Sequence, residues 1–311
     1  MEKIQLSTTE TISSNYTGEA ANRFFSKVLL SPTTIANGGV SFMDGIQYKW
    51  QLPKLDLSGL VQNATCDFTD LGTVTRSERT LTVEQFEVNL KLCKKNYKPT
   101  FDKMGGSAHS GLASEFANHL IGLVAANVAA SRETVIWSGV NATAGMFDGF
   151  EVLFTSQAAQ PSAYEIAAAD VTAANVIAKL QLIVDAASSA LYNTPGFAIR
   201  IPTNIMKHYI QAQAALGAYD TFYDGATANL SFSGVPLIHC AGMTDNIMFA
   251  TYEDNLWYGV GAAGDAQSVA VIDQSPLDGS DNVHVVMKWA DGIQVANPAD
   301  VITYGITNTA N

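Results

Sequence analysis

Gly259-Val260-Gly261-Ala262-Ala263-Gly264 has the GxGxxG spacing that lets a backbone approach a pyrophosphate, and Asp281 stands where a dinucleotide fold places its ribose-binding acid. The context argues against that chemistry. Gly264 is followed by Ser268-Val-Ala-Val-Ile272, a strand pattern instead of a helix, and only 47 residues remain for the rest of a doubly wound sheet. A glycine-rich turn between strands is the better reading.

Other reactive side chains are dispersed. His109, His119, His208, His239 and His284 are far apart, and the adjacent His239 and Cys240 would face opposite sides of a strand. Cys66, Cys93 and Cys240 form neither a CxxC pair nor a disulfide framework, which points to a reducing compartment. No GxSxG elbow, GxxxxGK[ST] loop or HExxH helix occurs. No catalytic residue, metal site or cofactor is expected, and an enzyme would need an active site gathered from distant loops.

The remaining chemistry is charge. Residues 1–103 carry 12 basic and 11 acidic residues, a net of +1, while residues 104–311 carry 5 and 18, a net of −13. Lys91, Lys94, Lys95, Lys98 and Lys103 fall within thirteen positions. Lysines on a solvated strand edge block aggregation, so this cluster reads equally as an edge or as a contact surface for the acidic half of another copy. A total of −12 excludes a strong sequence-specific nucleic-acid reader. With 47% hydrophobic and 15% charged residues the chain can build a core and is not intrinsically disordered. No run of 18 apolar residues predicts a membrane span, and the N-terminus lacks the basic flank and apolar stretch of a secretory signal. The sequons at Asn15, Asn63, Asn141 and Asn229 then occur by chance.

The elements that must position these residues follow from periodicity. Residues 1–40 read as a polar extended arm with a short amphipathic stretch at Phe24, Phe25, Val28 and Leu29. Ile46, Tyr48, Trp50 and Leu52 alternate with polar neighbours, as do Phe86, Val88, Leu90 and Leu92, predicting two strands of a long ribbon. The 33 residues between them, 53–85, read as a polar loop, and a two-stranded ribbon is barely stable without a surface to lie on. Residues 107–134 predict one long helix with a stripe at Leu112, Phe116, Leu120 and Leu123/Val124, capped by Ser107 or Ser110. A second helix is expected over 171–191, capped by Asp170, and a third from Pro202 to Leu216. Beyond these the chain is mostly strands, so the class is α+β.

This order of elements resembles the major capsid proteins of tailed bacteriophages with the HK97-type fold. Three stretches carry the resemblance. Ile136-Trp137-Ser138-Gly139 through Gly149-Phe150 is similar to the loop that follows the family's spine helix. Phe232-Ser233-Gly234-Val235-Pro236-Leu237 with Asp245–Ala250, and Val283–Trp289 with Asp291–Val295 and Asn297–Val301, resemble its later strand pairs. Lys288-Trp289 and Asn297-Pro298 depart from the commoner arginine-bearing closing strand.

The resemblance implies an N-terminal arm at 1–40, an extended E-loop at 41–98, a P-domain with the spine helix at 99–150 and 265–311, and an A-domain at 151–264. It implies a subunit that self-assembles into pentamers and hexamers of an icosahedral head, assembled in the host cytoplasm around packaged double-stranded DNA without reading its sequence. Portal and cement proteins are possible partners, and an N-terminus without a fused charged prodomain implies either separate scaffolding or a mature, processed chain, with Met1 favouring the former. A membrane is not among the partners. An encapsulin-like nanocompartment shell and an α/β enzyme are the alternatives. Lys54, Arg76, Arg79, Lys91, Lys94, Lys95 and Lys98 are the candidate inter-subunit contacts. Some family members join a ribbon lysine to a neighbour's asparagine with help from a glutamate. Lys54 lies near the ribbon, with no partner assignable from sequence.

Overall fold

A computed structural model of the chain describes residues 30, 33–61, 63–64, 66, 72–95, 114–216, 230–261 and 269–309. Two compact units are present. Among the described residues, one comprises 85–95, 114–130 and 269–290, the other those within 30–84, 131–261 and 291–309.

In the first unit, β4 (Glu84–Cys93) alternates as expected: Phe86, Val88, Leu90 and Leu92 turn inward and Glu87, Asn89 and Lys91 outward. It pairs with β12 (Asn282–Val295), which also pairs antiparallel with β11 (Val269–Asp273). The inward face of this sheet meets Leu120 and Val124 of the helix α2 (Ser114–Ser138), around Val285, Met287 and Trp289. Phe86 and Trp289 lie 6.0 Å apart between ring centroids.

The helix α2 ends four residues beyond the expected 134, and the expected start and caps, like Leu112, lie outside the described residues. By length and composition its segment Asn118–Ser138 could cross a membrane, which corrects the expectation that nothing qualifies. Part of its apolar surface is buried within the protein. Leu120 and Val124 are buried in one unit, and Val135, Ile136 and Trp137 in the other.

The second unit is built on a six-stranded sheet ordered β5-β13-β9-β6-β8-β7. These strands are β5 (Glu165–Ile166), β6 (Ala198–Ile201), β7 (Ser231–Phe232), β8 (Val235–His239), β9 (Met248–Thr251) and β13 (Ile302–Tyr304). Residues of β6, β9 and β13 are buried on both faces, which explains their unbroken apolar runs. One face packs on α3 (Val176–Ala186) through Val176, Leu180 and Ile183, and on α4 (Thr203–Ala215) through Ile205, Tyr209 and Ala212. Phe249 faces the other way, 5.4 Å from Trp137 and 5.6 Å from Phe154 between centroids.

The helix expected over 171–191 is two. Ala187 is extended with ψ 126°, and Ser188 caps a new turn, Ser189–Tyr192, by accepting from the Leu191 N–H at 3.2 Å. Ser188 competes for the backbone that a continuous helix would need. Asp170 does not cap α3: Asn175 occupies the N-cap position, and its Oδ1 accepts from the Thr172 N–H at 2.7 Å.

The ribbon differs most from expectation. β2 (Lys49–Ser58) pairs antiparallel with β3 (Thr73–Thr82), from Lys49↔Thr82 to Ser58↔Thr73, so much of the expected loop is strand. The segment 86–92 pairs elsewhere, with β12. Residues 73–78 are exposed on both faces, so no period-two hydrophobic signal marks them; their Thr and Val content is the only cue.

Candidate inter-subunit surface

The ribbon is tied firmly at its root. Leu81 is fully buried, and Leu52 and Val83 nearly so. Trp50 meets Trp257 edge to face at 5.1 Å, and β10 (Leu256–Val260), which carries Trp257, pairs antiparallel with Asp291–Val295 of β12. Two glycines permit the close approach. A Cβ on Gly259 would stand 2.5 Å from Ile46 Cδ1 and 2.7 Å from Leu81 Cδ2, and one on Gly292 would stand 2.2 Å from the Thr82 carbonyl oxygen. Gly259, the first glycine of the GxGxxG string, is therefore a packing position beneath the ribbon. Residues 262–268 lie outside the described residues, and the next element is strand β11, not a phosphate-binding helix.

Polar ties complete the root. Arg79 donates through Nε and Nη2 to Gln294 Oε1 at 3.2 and 3.0 Å, and Gln294 Nε2 donates to the Thr80 carbonyl at 2.8 Å. Burial lowers the Arg79 pKa from its ordinary value. Lys54 Nζ donates to Asn297 Oδ1 at 3.1 Å, and Asn297 Nδ2 in turn donates to Asp300. The lysine thus has an asparagine of its own chain as partner.

Beyond Leu52 the ribbon leaves its core. Paired residues of an antiparallel ladder share a face, so Pro53, Leu55 and Leu57 of β2 line up with Glu78, Arg76 and Val74 of β3. Leu55, Leu57 and Val74 are 62%, 53% and 62% exposed. Leu60 and Val61, just beyond the strand, are 54% and 96% exposed. The opposite face carries Lys54, Asp56, Thr75 and Ser77. An apolar face turned away from the protein's own core is a candidate interaction surface.

The candidate cations divide. Arg76, Lys91 and Lys95 are exposed. Lys54 and Arg79 are held at the ribbon root as described. Lys94 is held by Asp273, whose two carboxylate oxygens it meets at 2.8 Å, and it also donates to Ser275 Oγ at 2.6 Å. Lys98 lies outside the described residues, as does Lys103. Four of the five histidines are described, and among the described residues no group of three His, Cys, Asp or Glu side chains converges.

Sequence reasoning missed a second set of residues, which fix residues 33–43 in the second unit. The helical turn α1 (Thr33–Ala36) sits on Glu133, which is 1% exposed and accepts from Thr33 Oγ1, Thr34 N, Thr34 Oγ1 and Gly242 N. Trp137 Nε1 donates to Thr34 Oγ1 at 2.7 Å. The following strand β1 (Ser41–Met43) pairs parallel with β10. Between them Gly39 O accepts from Arg200 Nε at 3.0 Å; Arg200 is fully buried, and burial lowers its pKa to about 10. A Glu on an apolar helix and an Arg within Ala-Ile-Arg-Ile were the available signals, because buried charges need fixed partners.

Neither a family model nor a curated relative matches this chain. Solved structures do. The capsid of the native GTA particle, computed with C5 symmetry, superposes with a TM-score of 0.59 at 13% identity, covering 97% of this chain and 96% of that one. The chain has a phage-capsid fold. The capsid of Myoviridae phage XM1 gives 0.58 at 12% identity over 92% and 95% of the two chains, and a Mycobacterium phage Adephagia structure 0.57 at 13% over 96% of each. At 12–13% identity the agreement lies in backbone path, so the particular side chains on the ribbon are this chain's own.

Proposed function

We propose that this protein is the major capsid protein of a tailed bacteriophage, self-assembling through pentamers and hexamers into an icosahedral head that encloses double-stranded DNA. The observation that carries this reading is the ribbon: on a capsid fold, it turns Leu55, Leu57 and Val74 away from its own core. Covering such a surface with another molecule is favourable in water. The chain is then a structural protein and not an enzyme. Its place is the virion, after assembly in the host cytoplasm.

In this reading the HK97-type divisions apply, with residues 1–40 as arm, 41–98 as E-loop, 99–150 and 265–311 as P-domain and 151–264 as A-domain. Exposed Arg76, Lys91 and Lys95 meet acidic surfaces of neighbouring copies, and Lys54, Arg79 and Lys94 shape the subunit that presents them. Scaffolding, portal and cement proteins are its further partners, and the genome is held without sequence recognition. Negative-stain microscopy with size-exclusion chromatography of the expressed protein tests the proposal. Closed particles of megadalton mass, or capsomers, are the expected result; a small oligomer at every concentration and salt would reject it.

A further inference from the structure

The two long edges of the ribbon are not equivalent. Val83 N donates to Tyr48 O at 3.2 Å, so Tyr48 and Val83, one step before Lys49↔Thr82, are a hydrogen-bonded pair. Bonded and non-bonded pairs alternate along an antiparallel ladder. Trp50↔Leu81 and Leu52↔Arg79 are therefore bonded, and Pro53↔Glu78 is not. That is the position where a proline's missing N–H disturbs nothing. By the same parity the N–H and C=O of Val74, Arg76, Glu78 and Thr80 point away from β2. The Thr80 carbonyl provides an independent check, since it is taken from outside the ladder by Gln294 Nε2 at 2.8 Å.

Beyond Thr80 the outward backbone groups of Glu78, Arg76 and Val74 have no hydrogen-bond partner among the described residues. On β2 the corresponding edge carries Pro53, which has no donor to offer, and so resists strand addition. On β3 no proline interrupts Thr73–Thr82, four of its ten residues are Thr, and residues 73–78 are exposed on both faces. A long, regular, open edge of this kind is a template for another strand.

We propose that the free edge of β3 between Val74 and Glu78 accepts an extended strand from a second copy of this chain. This rests on the shell reading and states how the ribbon would engage its neighbour. Backbone pairing is blind to sequence and is decided by proximity. In a shell the molecule next to every ribbon is another copy. Charge agrees, because Arg76 stands at the centre of the open edge while residues 104–311 of each copy carry a net of −13. An added strand would also place alternate side chains beside Val74, on the face that Val74 shares with Leu55 and Leu57, and so extend that face.

The test separates backbone from side chain. Arg76→Pro removes one outward N–H and leaves the β2–β3 ladder intact, whereas Arg76→Ala removes the charge and keeps the N–H. Arg76→Pro is expected to fold with an unchanged melting temperature and to lower the yield of closed particles at least about tenfold below that of Arg76→Ala, which loses the charge alone. In wild-type particles the amides of Val74, Arg76 and Glu78 should exchange at least about tenfold more slowly than in free subunits, with Thr75 and Ser77 slow in both. If Arg76→Pro fails to fold, the wild-type exchange comparison alone decides. Wild-type particles whose Val74, Arg76 and Glu78 amides exchange as fast as in free subunits would overturn the edge proposal and leave the shell reading standing. A wild-type protein that forms no particle would overturn both.

Discussion

Thr34 closes over Glu133: its Oγ1 donates to the carboxylate at 2.7 Å and its backbone N–H does so at 3.1 Å, across 99 residues of sequence. The turn Thr33–Ala36 is thereby fixed within the second unit through a buried charge. Glu133→Ala strands the Thr34 and Gly242 N–H groups, and an unsatisfied buried group costs about 1–3 kcal/mol. We expect a loss of roughly 3 kcal/mol by denaturant titration, with Glu133→Gln losing about half as much because it keeps one acceptor oxygen. Equal stability of Glu133→Ala and wild type would show that α1 is not held there.

Gly292 is the tightest seat of the ribbon. Any side chain there meets the Thr82 carbonyl oxygen, 2.2 Å from the Cβ position. Gly292→Val should therefore destabilise the subunit by roughly 2–3 kcal/mol through overpacking, read as a lowered midpoint with an unchanged denaturant slope. A valine tolerated without a shift of midpoint would contradict this packing.

The exposed ribbon face should matter for assembly and little for folding. Leu55, Leu57 and Val74 are more than half exposed, so changing all three to Ser removes little buried area from the subunit. The expected outcome is a melting temperature near wild type, higher solubility and no closed particles by microscopy. Particles of normal diameter would mean that the apolar face contacts nothing.

Lys94 and Asp273 form an internal tie that titrates. Burial alone would raise the Asp273 pKa, but hydrogen bonds from Lys94 and Ser275 outweigh it and hold the carboxyl below its ordinary 3.8. A depressed folded-state value means the contribution is complete above the unfolded pKa and is lost as pH falls through the folded one. Lys94→Ala should cost about 1–2 kcal/mol at pH 7, and the difference from wild type should shrink below the ordinary Asp range. Lys91→Glu and Lys95→Glu, on exposed side chains, should leave the melting temperature nearly unchanged. A pH-independent Lys94→Ala effect would place its cause elsewhere.

Thiol reactivity reads out burial directly. Cys240 is fully buried and its pKa is pushed up to about 12, chiefly by that burial, whereas Cys66 is exposed. Because the thiolate is the reactive form, a maleimide should label Cys66 readily in the native protein and Cys240 only after unfolding. Native labelling of Cys240 at the rate of Cys66 would mean the second unit opens there.

What the sequence by itself determined are the elements buried on one face, or on both. The stripe through Leu120 and Val124, the alternation Phe86-Val88-Leu90-Leu92 and the apolar run Ala198–Ile201 are legible because burial imposes a period that local order records. The α+β class and the order of elements followed from these. The tertiary structure alone decided the ribbon's pairing, since residues 73–78 are wet on both faces and leave no period to read. It decided the break at Ala187, where a serine cap competes with an uninterrupted apolar stripe. It also decided which charges are free. Lys94 looks like its neighbours Lys91 and Lys95 in sequence, and only the fold brings Asp273 to it across 179 residues. Glu133 and Arg200 are bound by the same rule: the partners of a buried charge are set by chain crossings far apart in sequence, and no local pattern encodes a crossing.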